Sequence, residues 1–295
     1  MADHIHFAGC GTALLTPFTN NGDAVDYDAV AKLTDRQVAA GAHFLVPLGT
    51  TGETPCLTDV EKIKILQVTK EHSQGKPVIV GGGTNSLAQT IASIKVLEPF
   101  GPDAFLVVVP YYNKPTQKGL FEYFKAVAES TDKDIVLYNV PGRTGSNIEA
   151  ETTLRLAEEV ENIVAVKEAS SRYGQISQIL RHRPEGFSVL SGNDDETLSL
   201  MATGADGVIS VASNIDPVRM VKLVNALAQD DMKTARELHY KLMPLFKNCF
   251  IESNPIPAKA ALSQMGLMEN SLRLPLYPAT EETEEIMRQT LAELF

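Results

Sequence analysis

Lys167 closes the apolar run Ile163-Val164-Ala165-Val166 and is followed at once by Glu168. A short, continuous, β-branched run of this kind predicts a strand buried on both faces. An ammonium group at the end of such a strand needs a partner, or a reason to lose its proton. With an ordinary pKa of about 10.4, a lysine is only about 0.04% free amine at pH 7. Desolvation favours the neutral amine, a nucleophile suited to imine formation with a ketone. The competing reading is a lysine that snorkels to solvent or pairs with Glu168, and residue 167 by itself does not decide between them.

Other polar groups with chemical reach follow other apolar runs. Gly49-Thr50-Thr51-Gly52-Glu53 follows Phe44–Leu48, and Pro110-Tyr111-Tyr112-Asn113-Lys114-Pro115 follows Ala104–Val109. Tyr138 ends Ile135–Tyr138 and runs into Asn139-Val140-Pro141-Gly142-Arg143-Thr144-Gly145, while Ser191-Gly192-Asn193-Asp194 and Ile209-Ser210 close two further runs. Tyr138 could shuttle protons, although a phenol near pKa 10 needs a relay to do so at neutral pH. It could equally be a half-buried tyrosine with its hydroxyl in a turn. Oriented amides in the Gly49–Gly52 turn could hold an anion, but Gly-Thr-Thr-Gly is also a common loop. Arg143 offers a planar fork for a bidentate grip on a carboxylate, or it is an exposed loop arginine. Tyr111 and Tyr112 could be an aromatic plug and nothing more.

The elements that must position these groups alternate regularly. Strands are expected at Gly11–Leu15, Phe44–Leu48, Val78–Gly81, Ala104–Val109, Ile135–Tyr138, Ile163–Lys167, Ser188–Leu190 and Gly207–Ser210. Helices are expected between them at Tyr27–Ala40, Asp59–Gln74, Leu87–Phe100, Lys118–Thr131, Glu149–Val160, Tyr173–His182 and Asp195–Thr203, with Asp26 and Thr58 as N-caps and Gly41 and Gly75 as stops. Eight strands alternating with helices predict an α/β fold of the (β/α)8 TIM barrel type, whose active sites lie at the C-terminal strand ends. A dinucleotide-binding open sheet is disfavoured, since Gly9-Cys10-Gly11-Thr12-Ala13-Leu14 breaks the GxGxxG pattern at its third glycine. Beyond Asp216 only helices are expected: Val218–Gln229, which completes the barrel, then Met232–Phe250, Pro257–Met265 and Glu281–Leu294. The organisation read from this is one domain, a catalytic barrel over 1–230 with a C-terminal helical appendage over 231–295.

Composition bounds the function. The chain has 295 residues, 44% hydrophobic and 21% charged, in the range of ordinary globular proteins. A net charge of −11 with no basic cluster argues against binding nucleic acid. No apolar stretch approaches a membrane span, and Met1-Ala2-Asp3-His4-Ile5-His6 has no export-signal pattern. Three isolated cysteines, Cys10, Cys56 and Cys249, suit a reducing compartment, so a cytoplasmic protein is expected. The six histidines show no HxxxH or HExxH spacing, and no metal site is expected.

In chain order, GTTGE, PYYNKP, YNVPGRTG, the lysine of VAVKEAS, and LSGNDD resemble the pyruvate-dependent class I aldolase family, which includes the N-acetylneuraminate lyases. The resemblance runs from about Phe7 into the C-terminal helices. It implies that Lys167 forms an imine with pyruvate, and that the derived enamine adds to an aldehyde without metal or organic cofactor. Pro-Gly-Arg-Thr-Gly resembles the branch whose aldehyde is L-aspartate-4-semialdehyde, giving 4-hydroxy-tetrahydrodipicolinate for lysine and diaminopimelate biosynthesis. The alternative is an N-acetylneuraminate lyase or ketodeoxy sugar-acid aldolase, whose loop here normally lacks Arg143.

By the same resemblance, Thr50 and Tyr112 relay protons to Tyr138, with Tyr112 reaching into a neighbouring subunit. Backbone N–H groups of the Gly49–Gly52 turn, which carries Thr50 and Thr51, hold the pyruvate carboxylate, and Arg143 holds that of the semialdehyde. Gly192, Asn193 and Asp194 shape the second substrate's pocket, and Ile209 lines the pyruvate side. A homotetramer built as a dimer of dimers is implied, and at least a homodimer. Relatives inhibited by lysine bind it near the positions of Thr54–Lys62, Asn85, Gln89 and Tyr111, often with a histidine and a glutamate where this chain has Lys62 and Gln89. Weak lysine inhibition, or none, is therefore expected.

Overall fold

The computed structural model describes residues 4–295. Met1-Ala2-Asp3, the start of the segment read above for an export signal, lie outside the described residues. The strands of the main sheet are β1 Gly9–Ala13, β2 Phe44–Val46, β3 Ile79–Gly81, β4 Ala104–Val108, β5 Asp134–Asn139, β6 Ile163–Glu168, β7 Ser188–Ser191 and β8 Gly207–Ser210. In sheet order β8-β7-β6-β5-β4-β3 lie side by side, and β2 lies beside β1, with a parallel bridge from Leu45 in β2 to Val78. Each strand pair of this sheet with a recorded register is parallel, and helices follow the strands, as in a (β/α)8 barrel; a separate antiparallel ribbon pairs Phe18–Thr19 with Ala24–Val25.

The chain divides into two compact units. One is built on Ile79–Ile209. Its strands β5 and β6 are buried at every residue, as their near-continuous apolar runs require. The helix at Leu87–Leu97 stops short of the expected Phe100, because Pro99 converts Glu98–Phe100 into a 3-10 turn. A four-residue helix at Pro141–Thr144, absent from the sequence reading, opens on Pro141 and ends on left-handed Gly145.

The other unit comprises Gly9–Val78 and Ser210–Phe295. The two N-caps expected in it stand where the sequence places them. Asp26 accepts from Ala29 N at 2.9 Å, and Thr58 forms a reciprocal capping box with Glu61. β1 begins two residues earlier than expected, since Cys10 already exchanges hydrogen bonds with His43. Gly11 is a packing requirement of this strand: a Cβ there would lie 2.0 Å from the Phe44 ring. The helices Met232–Asn248, Ile256–Gln264 and Glu281–Leu294 also belong to this unit.

Candidate active site

Tyr138 and Lys167 are register partners on β5 and β6. Both are buried, and Lys167 Nζ lies 4.3 Å from the centre of the Tyr138 ring. Glu168 does not serve as the lysine's counterion. Successive strand residues point to opposite faces, and its carboxylate accepts from Asn139 Nδ2 at 3.0 and 3.2 Å, Ser170 N at 3.0 Å and Gln175 Nε2 at 3.2 Å. Burial raises the Glu168 pKa, and these hydrogen bonds oppose that rise. The alternative of a Lys167–Glu168 pair is thereby set aside, and the amine faces a phenol instead.

The segment after β5 is tied back at both ends. Asn139 Nδ2 donates to Asn147 Oδ1 at 3.0 Å, Ile148 N donates to Asn139 Oδ1 at 3.3 Å, and Asn147 Nδ2 donates to Gln175 Oε1 at 2.9 Å. Between these anchors the Pro141–Thr144 helix carries Arg143 at an exposed position, with Thr144 Oγ1 donating to Ser146 O at 2.8 Å. Tyr112 N donates to Thr144 O at 3.2 Å, so the tyrosine loop rests on the arginine loop. Tyr112 has φ 74 and is 87% exposed. A left-handed backbone under a bulky side chain is unfavourable, and an exposed aromatic held this way presents a contact surface. Tyr111 is less exposed.

At the end of β7, Gly192 N donates to Glu168 O at 2.7 Å. A Cβ there would meet Ala169 Cβ at 2.6 Å, so only glycine lets these strand ends approach. Asn193 Nδ2 donates to Ser171 Oγ at 3.2 Å and to Glu196 Oε2 at 3.1 Å. Asp194 is buried, and so is Ile209 on β8.

In the other unit, Thr50–Gly52 forms a 3-10 turn between left-handed Leu48 and left-handed Glu53. Thr51 is buried, with Oγ1 accepting from Asn254 Nδ2 at 3.0 Å, whereas Thr50 is half-buried. The turn is also held by Thr16 Oγ1 on Gly52 O at 2.8 Å and Thr54 Oγ1 on Gly49 O at 3.0 Å. Glu53 is buried and paired with Lys259 Nζ at 2.5 Å. Burial pulls the Lys259 pKa down to about 8, against the opposing attraction of Glu53. Sequence reasoning missed Asn254 and Lys259. The signal was present, since Ile256-Pro257-Ala258-Lys259-Ala260-Ala261-Leu262 is an apolar run interrupted by one lysine, the pattern that marked Lys167.

Among the described residues no group of three or more His, Cys, Asp or Glu side chains could hold a metal ion, and no helix is long and apolar enough to cross a membrane.

Comparison with known proteins identifies the family. The model of the dihydrodipicolinate synthetase family matches residues 6–294. The 4-hydroxy-tetrahydrodipicolinate synthase of Thermosipho melanesiensis is 48% identical over 287 residues, covering 97% of this chain and 98% of that protein. The crystal structure of dihydrodipicolinate synthase from Thermotoga maritima superposes with a TM-score of 0.96 at 46% identity, covering 98% of this chain and 99% of that one. The chloride-inhibited dihydrodipicolinate synthase from Acinetobacter baumannii, complexed with pyruvate, superposes with a TM-score of 0.94 at 38% identity, covering 97% and 98% of the two chains. With matches of this extent, the chain belongs to the dihydrodipicolinate synthetase family.

Proposed function

We propose that the chain is a lyase of the class I aldolase type that condenses pyruvate with L-aspartate-4-semialdehyde to 4-hydroxy-tetrahydrodipicolinate. The observation that carries this reading is the buried Lys167 amine lying over Tyr138, with the neighbouring carboxylate turned away. Lys167 attacks the pyruvate ketone, and loss of water gives a protonated imine. A methyl proton leaves, and the resulting enamine carbon bonds to the aldehyde carbon of the semialdehyde. The substrate's own amine then displaces Lys167 from the imine carbon, closing the ring and freeing the enzyme. The balance is one water released per turnover.

Tyr138 is the group suited to exchange protons with the imine carbon and the carbinolamine oxygen, since its ring already lies against Nζ. Thr50 and Tyr112 are assigned to the relay. Thr50 and Thr51 amides take the pyruvate carboxylate, and Arg143 takes that of the semialdehyde. Gly192, Asn193 and Ile209 are assigned to shaping the pocket. The exposure of Tyr112 supports completion by a neighbouring copy, in at least a homodimer and, by family resemblance, a homotetramer. A barrel over 1–230 and an appendage over 231–295 acting as one cytoplasmic enzyme complete the reading. The arginine disfavours a sugar-acid lyase.

Borohydride reduction in the presence of pyruvate, followed by peptide mass mapping, tests the chemistry and the residue together. An adduct on Lys167 is expected. Its absence, or an adduct confined to another lysine, overturns the mechanism. Turnover of aspartate semialdehyde but not N-acetylneuraminate then tests the substrate.

A further inference from the structure

Two side chains of the C-terminal extension grip the turn at Thr50–Gly52. Asn254 Nδ2 donates to Thr51 Oγ1 at 3.0 Å, and five residues on, Lys259 Nζ lies 2.5 Å from Glu53 Oε1. Lys259 also donates to Ser271 O at 2.9 Å and sits 4.1 Å from the centre of the Phe18 ring. Arg273 N donates to the other Glu53 oxygen at 3.1 Å. Both side chains of the ion pair are completely buried. A buried ion pair is a weak source of stability, because desolvation offsets most of its attraction. Geometry is what this one supplies. It fixes Glu53, whose left-handed backbone ends the turn.

Within that turn, Gly52 N donates to Gly49 O and Glu53 N donates to Thr50 O. The N–H groups of Thr50 and Thr51 are not used by these bonds and stay available to an anion. We propose that Lys259, with Asn254, is a positioning residue that aims these two amides at the pyruvate carboxylate. The inference rests on the assignment of this turn to pyruvate. It gives the extension a catalytic duty through two contacts rather than a purely structural one. Burial of the pair pulls the Lys259 pKa down.

The test uses the full chain with Glu53→Gln, Lys259→Met, the double variant Glu53→Gln/Lys259→Met and Asn254→Ser. The double variant leaves no buried charge unpaired. The reading is that KM for pyruvate rises roughly tenfold to a hundredfold, as misplacement of a binding group on the order of 1 Å produces. By the same argument kcat at saturating pyruvate and KM for the semialdehyde stay within about twofold, a split that general loss of folded protein does not give. The pyruvate concentration for half-maximal borohydride adduct at Lys167 rises in parallel. A folded variant of the ion pair with unchanged pyruvate KM overturns the proposal. If those variants do not fold, Asn254→Ser, which keeps the pair, decides it, and an unchanged pyruvate KM there overturns it too. No adduct in the unmodified protein defeats the underlying mechanism; an adduct in both proteins with equal half-saturation defeats only the positioning role.

Discussion

Asn139 and Glu168 are hydrogen-bonded register partners, one step along their strands from Tyr138 and Lys167. Because successive residues alternate faces, the bond on one face fixes the separation of the amine and phenol on the other. Glu168→Gln tests this. The substitution places an NH2 group among donors from Asn139, Ser170 and Gln175, leaving at least one without an acceptor. A stability loss of about 1–3 kcal/mol is expected in urea unfolding. A fall in kcat of up to about a hundredfold is also expected from misplaced reacting groups. Lower stability with kcat unchanged would show that the network only holds the fold.

Tyr138→Phe separates the hydroxyl from the ring. The ring remains to face Lys167 Nζ, so folding is expected to survive, and the pyruvate adduct still forms but more slowly, through an unassisted carbinolamine step. Turnover loses its proton shuttle, and kcat should fall by about 10²–10⁴. Steady-state rates beside borohydride trapping check both halves. Wild-type turnover in Tyr138→Phe would remove the hydroxyl from the mechanism.

Arg143→Lys keeps the charge and removes the fork. Arg143 stands exposed on the short helix between the Asn139 and Asn147 anchors. Charge-assisted hydrogen bonds contribute about 1.5–3 kcal/mol, so KM for the semialdehyde should rise roughly tenfold to a hundredfold. Pyruvate trapping at Lys167 should not change. Equal KM values for the semialdehyde in the two proteins would reassign that carboxylate.

Lys167 and Tyr138 were legible because a single polar group ending a long apolar run is physically costly without a purpose. That they are register partners was not. The pairing of β5 with β6 shifts between Ile135 and Val136, where Ile135 meets Ile163 but Val136 meets Ala165. A one-residue slip inverts which side chains share a face, and no local pattern encodes it. The start of β1 was misplaced for a related reason. Gly9 answers to the ring of His43 far along the chain, 2.4 Å from where its Cβ would stand, and nothing local shows that. The brace at Lys259 escaped notice because its partner Glu53 lies more than half the chain away.

Inhibition by lysine should be weak or absent. Lys62 Nζ pairs with Asp59 Oδ1 at 3.0 Å, and residue 89 is a neutral amide where inhibited relatives often have a glutamate. An amide offers the effector's ammonium group no countercharge. Steady-state rates across a lysine titration check this, with half-inhibition at submillimolar lysine counting against it. Gln89→Glu should increase sensitivity if the missing charge is the cause.

Acid stability should depend on Glu61 and Arg273. Arg273 Nη2 lies 2.6 Å from Glu61 Oε1 and Nη1 lies 2.9 Å from Oε2, a bidentate pair, while Thr58 N donates to the same carboxylate at 2.8 Å. The Arg273 hydrogen bonds are the main cause that lowers the Glu61 pKa from 4.5 to about 2. A carboxylate with a depressed folded-state pKa contributes stability that is complete above its unfolded value and is lost as pH falls through the folded one. The contribution is therefore present above about pH 4.5 and declines toward pH 2. Glu61→Gln cannot titrate, so its thermal midpoint should lie below that of the unmodified protein at pH 6, and the gap should narrow as the pH falls through this window. A gap that stayed constant with pH would mean that Glu61 acts through capping geometry alone, with no contribution from its charge.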